Sequence, residues 1–142
     1  MFAVFHYRKN YLKYRNLNSA KTINCSFCED DFSNRLVEET ESAYIVHNRV
    51  SYDLWESREV IEHLLVVPKA HVTGFAEMTT DVQLDLMDIF GRYEAKGYHV
   101  YARGQGNESR TQHHQHTHLI RTKQDLVRLE FALSKPHFLF KI

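Results

Sequence analysis

Four histidines fall within six residues of the stretch QHHQHTHLI, which covers residues 112–120. Three of them, His114, His116 and His118, alternate with other residue types. In a β-strand, alternate side chains share one face and lie about 6.5–7 Å apart. Imidazole exchanges protons near neutral pH and can attack phosphorus as a nucleophile. The row therefore predicts a site for a phosphoryl group, which one ring attacks while the others donate hydrogen bonds to its oxygens.

Two other interpretations of this stretch stay open on spacing alone. Short histidine-rich tracts often bind metal ions, and a catalytic metal held by His114, His116 and His118 is one form of such a site. A strand with Gln115 and Thr117 between its histidines could also lie on a solvated surface.

The chain has two cysteines, Cys25 and Cys28, in the stretch CSFC. Two cysteines so close in sequence cannot cross-link a domain. In a reducing compartment, such a pair is typical of metal binding or redox chemistry.

The composition is that of an ordinary globular domain. The chain has 142 residues, of which 43% are hydrophobic and 25% charged. This length is enough for one domain with its own core, and we predict a single domain over residues 1–142. The apolar runs are too short to span a bilayer and the start lacks the hydrophobic core of a secretory signal, so we expect a cytoplasmic protein.

The net charge is zero, but the charges are unevenly distributed. Residues 1–24 contain five basic residues and no acid, whereas residues 28–62 contain ten acids and three arginines. A basic segment can contact phosphate, but we favour a solvated N-terminal extension over residues 1–24.

The hydrophobic pattern predicts an α+β domain. Helical spacing gives one main helix from Thr80 to Lys96, with Thr80 and Gln83 as a capping box and Gly97 at its end. A short helix over residues 5–17 and a last strand within FALSKPHFLFKI are also expected. Since the main helix lies between strands, the sheet should be mostly antiparallel with this helix on one face. Apolar and β-branched runs place the main strands at residues 44–48, 63–67, 98–103 and 113–120.

Three stretches together resemble the histidine triad (HIT) superfamily of nucleotide hydrolases and transferases. HHQHTHLI resembles the family's His-x-His-x-His signature. EHLLVVPKAH, about fifty residues upstream, resembles its second hallmark, and CSFC resembles the Cys-x-Phe-Cys near the start of many members. The three stretches run in the family's order over residues 25–120. The resemblance implies a HIT-like fold and a nucleotide-binding enzyme.

The resemblance also implies a covalent mechanism. His116 would attack the α-phosphorus of a purine nucleotide, and water would then hydrolyse the nucleotidyl-histidine. The backbone carbonyl of His114 would accept the Nδ1–H of His116, which leaves Nε2 as the nucleophile. His118 and His63 would bond phosphate oxygens or neighbouring imidazoles. Members that transfer the nucleotide to a second phosphate have Gln where His118 stands, so hydrolysis is implied, with no cofactor needed for catalysis.

Three further residues match family positions near the nucleotide. Thr111 stands where a Ser or Thr contacts the phosphate or the leaving group. Asn48 resembles an Asn on the ribose or phosphate side of the pocket, and Asn107 is a weaker match for a similar role.

Some members hold a structural zinc ion, and the matching ligands here are Cys25, Cys28, His71 and His114. This set is a closed Cys₂His₂ tetrahedron. His113 or His47 could supply a ligand instead, or the thiols could hold no ion.

The sequence also departs from the family pattern. Gln115 and Thr117 are polar where members are usually apolar, so we expect the reverse face of the histidine strand to be partly wet. Arg110 stands where many members have Gln and could alter the contact with the leaving group. Trp55 could stack on a base, but packing is the more common role; Tyr52, Tyr98 and Tyr101 are expected to pack or to line the rim.

The substrate bond would be a phosphoramidate or a phosphoanhydride. Alternatives are an aprataxin-like enzyme that removes AMP from nucleic-acid ends, and a non-catalytic scaffold that binds nucleotide or metal. Nucleic acid is a less favoured partner because the chain has no dense Lys/Arg patch. Homodimers are common in the family, and the helix at 80–96 and the tail HFLFKI could form the interface.

Overall fold

One antiparallel sheet of seven strands carries the histidine stretch in the computed structural model, which describes residues 4–5, 12, 25–127, 130–134 and 137–141. The strands of this sheet are β1 (Val4–Phe5), β2 (Leu36–Glu39), β3 (Ala43–His47), β4 (Leu54–Trp55), β5 (Arg58–Pro68), β6 (His99–Tyr101) and β7 (Thr117–Leu126). The long central strand β5 pairs with β7 on one side and with β3 and β4 on the other. Strand β2 lies beyond β3, β1 lies beyond β4, and β6 lies beyond β7, so these three strands form the edges of the sheet. The predicted α+β class with a mostly antiparallel sheet is confirmed.

Helix α1 (Thr80–Glu94) covers one face of the sheet. Its buried side chains Leu86, Ile89 and Tyr93 pack against apolar residues of β3, β5 and β7. This cluster includes Leu64 of β5, which directly follows His63, and Leu119 of β7, which directly follows His118. Because side chains alternate along a strand, the helix face is apolar and the opposite face is left for His63 and His118.

The predicted capping box at the start of the helix is wrong. Thr79 is the N-cap residue, and no side chain caps the first turn. The Gln83 side chain instead donates to the backbone carbonyls of Phe75 and Met78, both at 3.1 Å, in the turn before the helix. At the other end, the helix stops at Glu94, two residues earlier than the predicted Lys96. Gly97, which follows the last turn, has a φ of 82°, a left-handed conformation that glycine adopts without a Cβ clash.

The strand that carries the histidines begins later than predicted. We expected it at 113–120, but the ladder starts at Thr117. The residues before it bond to the loop after β5, since the Gln115 N–H donates to the Val72 carbonyl at 2.7 Å. His114 and His116 therefore lie in an irregular segment that leads into β7, and only His118 sits in the ladder itself.

A hairpin of β8 (Glu130–Ser134) and β9 (His137–Lys141) forms a separate two-stranded sheet. Strand structure within FALSKPHFLFKI agrees with the prediction. The predicted helix over residues 5–17 falls almost entirely outside the described residues. No helix within the described ranges is long and apolar enough to cross a membrane.

Candidate active site

His63 on β5 and His118 on β7 meet on the face of the sheet opposite the helix. The two strands pair so that His63 faces Ile120 and His118 faces Leu65 across the ladder. Diagonal neighbours of this kind are within reach of ring side chains. Nε2 of His63 lies 2.8 Å from Nδ1 of His118, and both residues are buried.

The hydrogen bonds of this pair fix the position of each ring proton. The backbone N–H of Tyr52 donates to Nδ1 of His63 at 3.0 Å, so the proton of a neutral His63 is on Nε2. Nε2 then donates to Nδ1 of His118, which places the His118 proton on Nε2. This Nε2 is buried and has no hydrogen-bond partner among the described residues. The site thus presents one buried, polarised N–H donor.

Burial keeps the His118 ring neutral. Removal from water is the largest cause that lowers its pKa well below the usual value, and electrostatic interactions with His63, His116 and Arg103 act in the same direction. A neutral imidazole is the state that the hydrogen-bond chain through His63 requires.

The ring of His116 is held by the residue two positions earlier. Its Nδ1 lies 2.9 Å from the backbone carbonyl of His114, which can only accept, so the proton is on Nδ1 and Nε2 has a free lone pair. This is the hydrogen bond that the resemblance implied. Burial lowers the pKa of His116, and the charges of Arg110 and Arg103 contribute to the same shift. The resulting neutral ring, 9% exposed, has the form of a nucleophile.

The four residues of the predicted zinc site lie together. The ligand atoms of Cys25, Cys28, His71 and His114 are all within 4.8 Å of one another. Nδ1 of His114 is 3.4 Å from the Cys25 sulfur, and Nδ1 of His71 is 3.3 Å from the Cys28 sulfur. His47 and His113, the alternative ligands, are exposed and are not part of this group.

This donor set fits a structural zinc ion. Two thiols and two imidazoles form a closed tetrahedral set. Nε2 of His114 is 2.9 Å from the Pro68 carbonyl and must carry the ring proton, so the lone pair of Nδ1 faces the thiols. A ring N–H bonded to a carbonyl is the usual arrangement that orients a metal-binding histidine. His114, His116 and His118 do not form a metal-binding group with one another in the part of the chain described here, which disfavours a catalytic metal on the triad.

Two arginines flank the triad. The guanidinium of Arg103 donates to the Tyr52 hydroxyl at 3.1 Å and to the Ser109 carbonyl at 2.9 Å. Arg110 donates to the backbone carbonyls of Gln112 and His113 at 3.0 and 2.7 Å. The charges of both contribute to the lowered pKa of His116.

The other predicted contact residues have different placements. The side-chain nitrogen of Asn48 lies 3.3 and 3.2 Å from the two ring nitrogens of His63, so Asn48 joins the site. Thr111 is exposed in the segment before the triad. The Asn107 side chain accepts bonds from the Ser109 N–H at 2.9 Å and the Ser109 hydroxyl at 2.6 Å, and so it orders its own loop.

The expectation of a partly wet reverse face is wrong. Gln115 and Thr117 are 2% and 3% exposed. The Gln115 backbone is covered by the loop after β5, where it bonds to Val72, and its side-chain nitrogen lies 3.3 Å from the His116 carbonyl. Hydrogen bonds to the main chain allow such polar groups to be buried.

Three residues of the site were missed by the sequence interpretation. The Phe27 ring lies 5.2 Å from that of His116 and 5.7 Å from that of His114. Tyr52 was expected only to pack or line the rim, but it also orients His63 through its backbone. Arg103 was not singled out at all. Of the three, only Phe27 could have been found from the sequence, because it lies between the two cysteines. The main-chain donor of Tyr52 and the loop residue Arg103 belong to no sequence motif.

Trp55 is packed rather than open to a ligand. It is 6% exposed, its ring stacks against that of Tyr52 at 6.2 Å, and the Tyr101 ring lies 5.0 Å away. The packing role that we favoured for Trp55 agrees with this arrangement.

Several solved histidine triad proteins have a similar fold. A HIT family hydrolase from Legionella pneumophila superimposes with a TM-score of 0.51 at 21% identity, over 71% of this chain and 95% of that one. A histidine triad protein from Clostridium difficile gives a TM-score of 0.54 at 19% identity, over 78% and 99%. The chain has the HIT fold.

A third HIT structure agrees with these two. The HIT family hydrolase from Clostridium thermocellum matches with a TM-score of 0.54 at 20% identity, over 73% of this chain and 95% of that one. No family model matches the sequence, and neither does any curated protein. The HIT fold expected from the three sequence stretches is thus confirmed through the structure.

Proposed function

We propose that this chain is a HIT-family nucleotidyl hydrolase that cleaves a purine nucleotide at its α-phosphate. The observation that carries the proposal is the 2.9 Å hydrogen bond between Nδ1 of His116 and the His114 carbonyl. It leaves Nε2 of a neutral imidazole as the free nucleophilic nitrogen. The fold and the order of the three motifs support the same assignment.

The reaction has two displacement steps at phosphorus. Nε2 of His116 forms a bond to the α-phosphorus while the bond to the leaving group breaks, and the electron pair departs with the leaving group. Water then attacks the same phosphorus, the phosphorus–nitrogen bond breaks, and His116 is regenerated with the free nucleotide as product. A phosphoramidate or a phosphoanhydride could enter this cycle.

The Nε2–H of His118 supplies the hydrogen bond to the phosphoryl oxygens. It is buried and already oriented by His63 and by the Tyr52 backbone. A donor fixed in a dry site costs no reorganisation when charge develops on phosphorus. Asn48, which contacts His63, would hold this side of the nucleotide.

The Cys₂His₂ group would hold a zinc ion with a structural role. Bound zinc would fix the Cys25–Cys28 turn beside the triad, and Phe27 in that turn contacts the His116 ring. No chemical step passes through the ion, since all four positions are protein ligands. Reduced thiols are consistent with the cytoplasmic location that we propose.

We further propose that the protein is a homodimer. Leu84 and Met87 are 63% and 64% exposed on helix α1, and Val100 is 41% exposed on the edge strand β6. A second copy would cover these apolar side chains and the open edge. Light scattering at micromolar concentration tests this, and a monomeric mass would contradict it.

The test of the hydrolase is the release of AMP from adenosine 5′-phosphoramidate. The wild type should turn over, and His116→Ala should lose at least about 10³-fold in kcat because the nucleophile is absent. His113→Ala is the matched control, since His113 is an exposed neighbour of the triad and should leave the rate within about twofold. Equal rates for the wild type and His116→Ala would refute the mechanism, and AMP binding without turnover would favour the scaffold.

A further inference from the structure

The two thiols beside the triad lie in one tight turn. The Cys28 N–H donates to the Cys25 carbonyl at 3.0 Å, and the Glu29 N–H donates to the same carbonyl at 3.2 Å. A turn of this kind brings its first and fourth Cα atoms within about 7 Å of each other, and a disulfide joins Cα atoms that are about 4.4–6.8 Å apart. The two sulfurs lie within 4.8 Å of each other. The turn can therefore close into a disulfide through a short movement of its side chains.

Solvent reaches this pair of thiols. Cys28 is exposed and Cys25 is partly buried. They are the only cysteines of the chain, so a disulfide within one chain can join only these two. The thiolate is the form of cysteine that binds zinc, and it is also the form that oxidants attack. Exposed thiolates with a second cysteine beside them are typical of residues that respond to oxidants.

We propose that Cys25 and Cys28 form a reversible oxidation site. A peroxide converts the two thiolates to a disulfide, which releases the metal and moves Phe27 relative to the His116 ring. Formation of the disulfide is independent of the proposed hydrolase function, whereas its effect on turnover rests on that function.

The oxidation has two steps, and the peroxide is the oxidant. The exposed Cys28 thiolate attacks one oxygen of the peroxide, so a sulfur–oxygen bond forms, the oxygen–oxygen bond breaks and hydroxide leaves. The Cys25 thiolate then attacks the Cys28 sulfur, so the sulfur–sulfur bond forms, the sulfur–oxygen bond breaks and a second hydroxide leaves. The two thiolates lose two electrons together, and the peroxide gains both. The hydroxides take protons from the solvent and become water.

A disulfide removes half of the ligands of the predicted zinc site. Nδ1 of His114 lies 3.4 Å from the Cys25 sulfur and 3.5 Å from the Cys28 sulfur, and Nδ1 of His71 lies 3.3 Å from the Cys28 sulfur. A disulfide sulfur carries no negative charge, so it does not replace a thiolate as a zinc ligand. His71 and His114 alone offer two ligands where a structural zinc ion takes four. We therefore expect oxidation to release the ion.

Phe27 connects the turn to the proposed nucleophile. It lies between the two cysteines, and its ring centre is 5.2 Å from that of His116 and 5.7 Å from that of His114. Ser26, in the same turn, donates from its hydroxyl to the Gln112 side-chain oxygen at 3.0 Å, so the turn also contacts the segment before the triad. The free sulfurs must approach to about 2.05 Å to form the bond, and the residues between them must shift. Closure of the turn therefore changes the surroundings of the His116 ring.

The first measurement concerns the thiols and the metal and needs no substrate. Zinc-loaded protein treated with hydrogen peroxide should lose two hydrogen atoms in intact-mass spectrometry and release its zinc into solution. Its thiols should no longer react with an alkylating reagent. Peptide mapping should find the Cys25–Cys28 cross-link, and dithiothreitol should reverse it. Ser26→Ala, in the same turn, should form the disulfide to the same extent.

Cys25→Ser is the matched variant, because Cys28 keeps its thiol but has no second thiol in the chain. Peroxide should add one oxygen atom to this variant, which dimedone traps as a sulfenic acid, and should remove no hydrogen atoms. The peptide map of the wild type identifies the cross-link by itself if this variant does not fold.

The second measurement tests the connection to His116. Nitrogen-15 NMR of the imidazole rings compares the zinc-loaded, the reduced zinc-free and the oxidised protein. The His116 resonances should differ between the last two states, because movement of an aromatic ring changes the ring-current shift of the group it contacts. Phe27→Leu should still form the disulfide, but the difference at His116 should be much smaller than in the wild type.

The third measurement is turnover of adenosine 5′-phosphoramidate. Oxidation should lower kcat by about threefold to tenfold, because a shift of the neighbouring side chains misaligns the nucleophile. Dithiothreitol and zinc together should restore the rate. An unchanged rate in the oxidised protein would show that closure of the turn does not affect the chemistry.

The outcomes separate this inference from the proposed function. Thiols that stay free under peroxide that oxidises free cysteine, a disulfide between two chains, or metal retained after oxidation would overturn the oxidation site. Identical His116 resonances in the reduced zinc-free and oxidised states would overturn the connection through Phe27. A disulfide and a shift of the His116 resonances without turnover in either state would support the oxidation site and refute the hydrolase.

Discussion

His114 faces two sites at once, because its backbone carbonyl accepts the Nδ1–H of His116 at 2.9 Å while its own Nδ1 lies 3.4 Å from the Cys25 sulfur. The main chain of this residue fixes the proposed nucleophile, and its side chain belongs to the metal-binding group. These two functions can be separated by mutation, since truncation of the side chain leaves the carbonyl in place.

The first prediction uses this separation. His114→Ala should lose the metal but keep the hydrogen bond to His116, so kcat measured at low temperature should fall by less than about tenfold, far less than the loss in His116→Ala. Metal content and AMP release, measured on the same sample, check both statements. A loss as large as that of His116→Ala would show that the imidazole of His114 takes part in the chemistry.

The second prediction concerns the ion. The wild type purified with zinc should contain one ion per chain, and Cys25→Ser should contain much less because one thiolate ligand is gone. Zinc at 100 times its Kd should stabilise the wild type by about 2.7 kcal/mol. Elemental analysis and thermal unfolding with and without a chelator measure these effects. Ser26→Ala in the same turn is a control, since Ser26 bonds only to Gln112 among the described residues. Unchanged metal content in Cys25→Ser would contradict the site.

The third prediction is a loss of stability in acid. The pKa of His118 is well below 6.5 in the folded protein, chiefly because the ring is buried, whereas an unfolded histidine has the ordinary value. Below pH 6.5 the unfolded chain therefore binds more protons than the folded one, and the free energy of unfolding falls as the pH falls. The share of His118 in this slope is at most about 1.4 kcal/mol per pH unit.

His118→Gln isolates that share, since Gln can still accept the bond from His63. Urea unfolding at pH 5.5 and 7.5 should show a smaller pH dependence in His118→Gln than in the wild type. His114 and His116 have lowered pKa values as well and remain in both proteins, so only the difference is interpreted. Identical slopes would mean that His118 is not buried as a neutral ring.

The fourth prediction concerns the turn between β4 and β5. Glu56 and Ser57 have φ values of 49° and 60°, in the left-handed region that disfavours most side chains. Two-residue hairpins of this kind prefer Asn at the first position. Glu56→Asn should raise the free energy of unfolding by about 0.5–1 kcal/mol, as measured by urea denaturation. Glu41→Asn, an exposed change outside the turn, should leave the free energy of unfolding unchanged. An equal increase in this variant would show that the stabilisation does not come from the positive φ of residue 56.

The fold was predictable from the sequence where the signal is local. The run at 62–68 and the spacing of Leu86, Ile89 and Tyr93 predict a strand and a helix because each pattern follows from the residues themselves. The cluster of Cys25, Cys28, His71 and His114 followed from the family resemblance, since motifs in the same order imply the same neighbours.

The remaining features depend on contacts that are distant in sequence. The late start of β7 is due to the carbonyls of Pro68 and Val72, which bond to the histidine segment before the ladder forms. The orientation of His63 depends on the Tyr52 main chain, which has no residue signature. Arg103 reaches the site because its loop folds back onto Tyr52 and Ser109, and no periodicity predicts that contact.

The most direct test of the central claim is to trap the covalent intermediate. The wild type, mixed with adenosine 5′-phosphoramidate or diadenosine triphosphate and quenched within milliseconds, should show one adenylate group in intact-mass spectrometry, and peptide mapping should assign it to His116. Turnover without any adduct, or an adduct on His118 or His114 that persists in His116→Ala, would contradict the account.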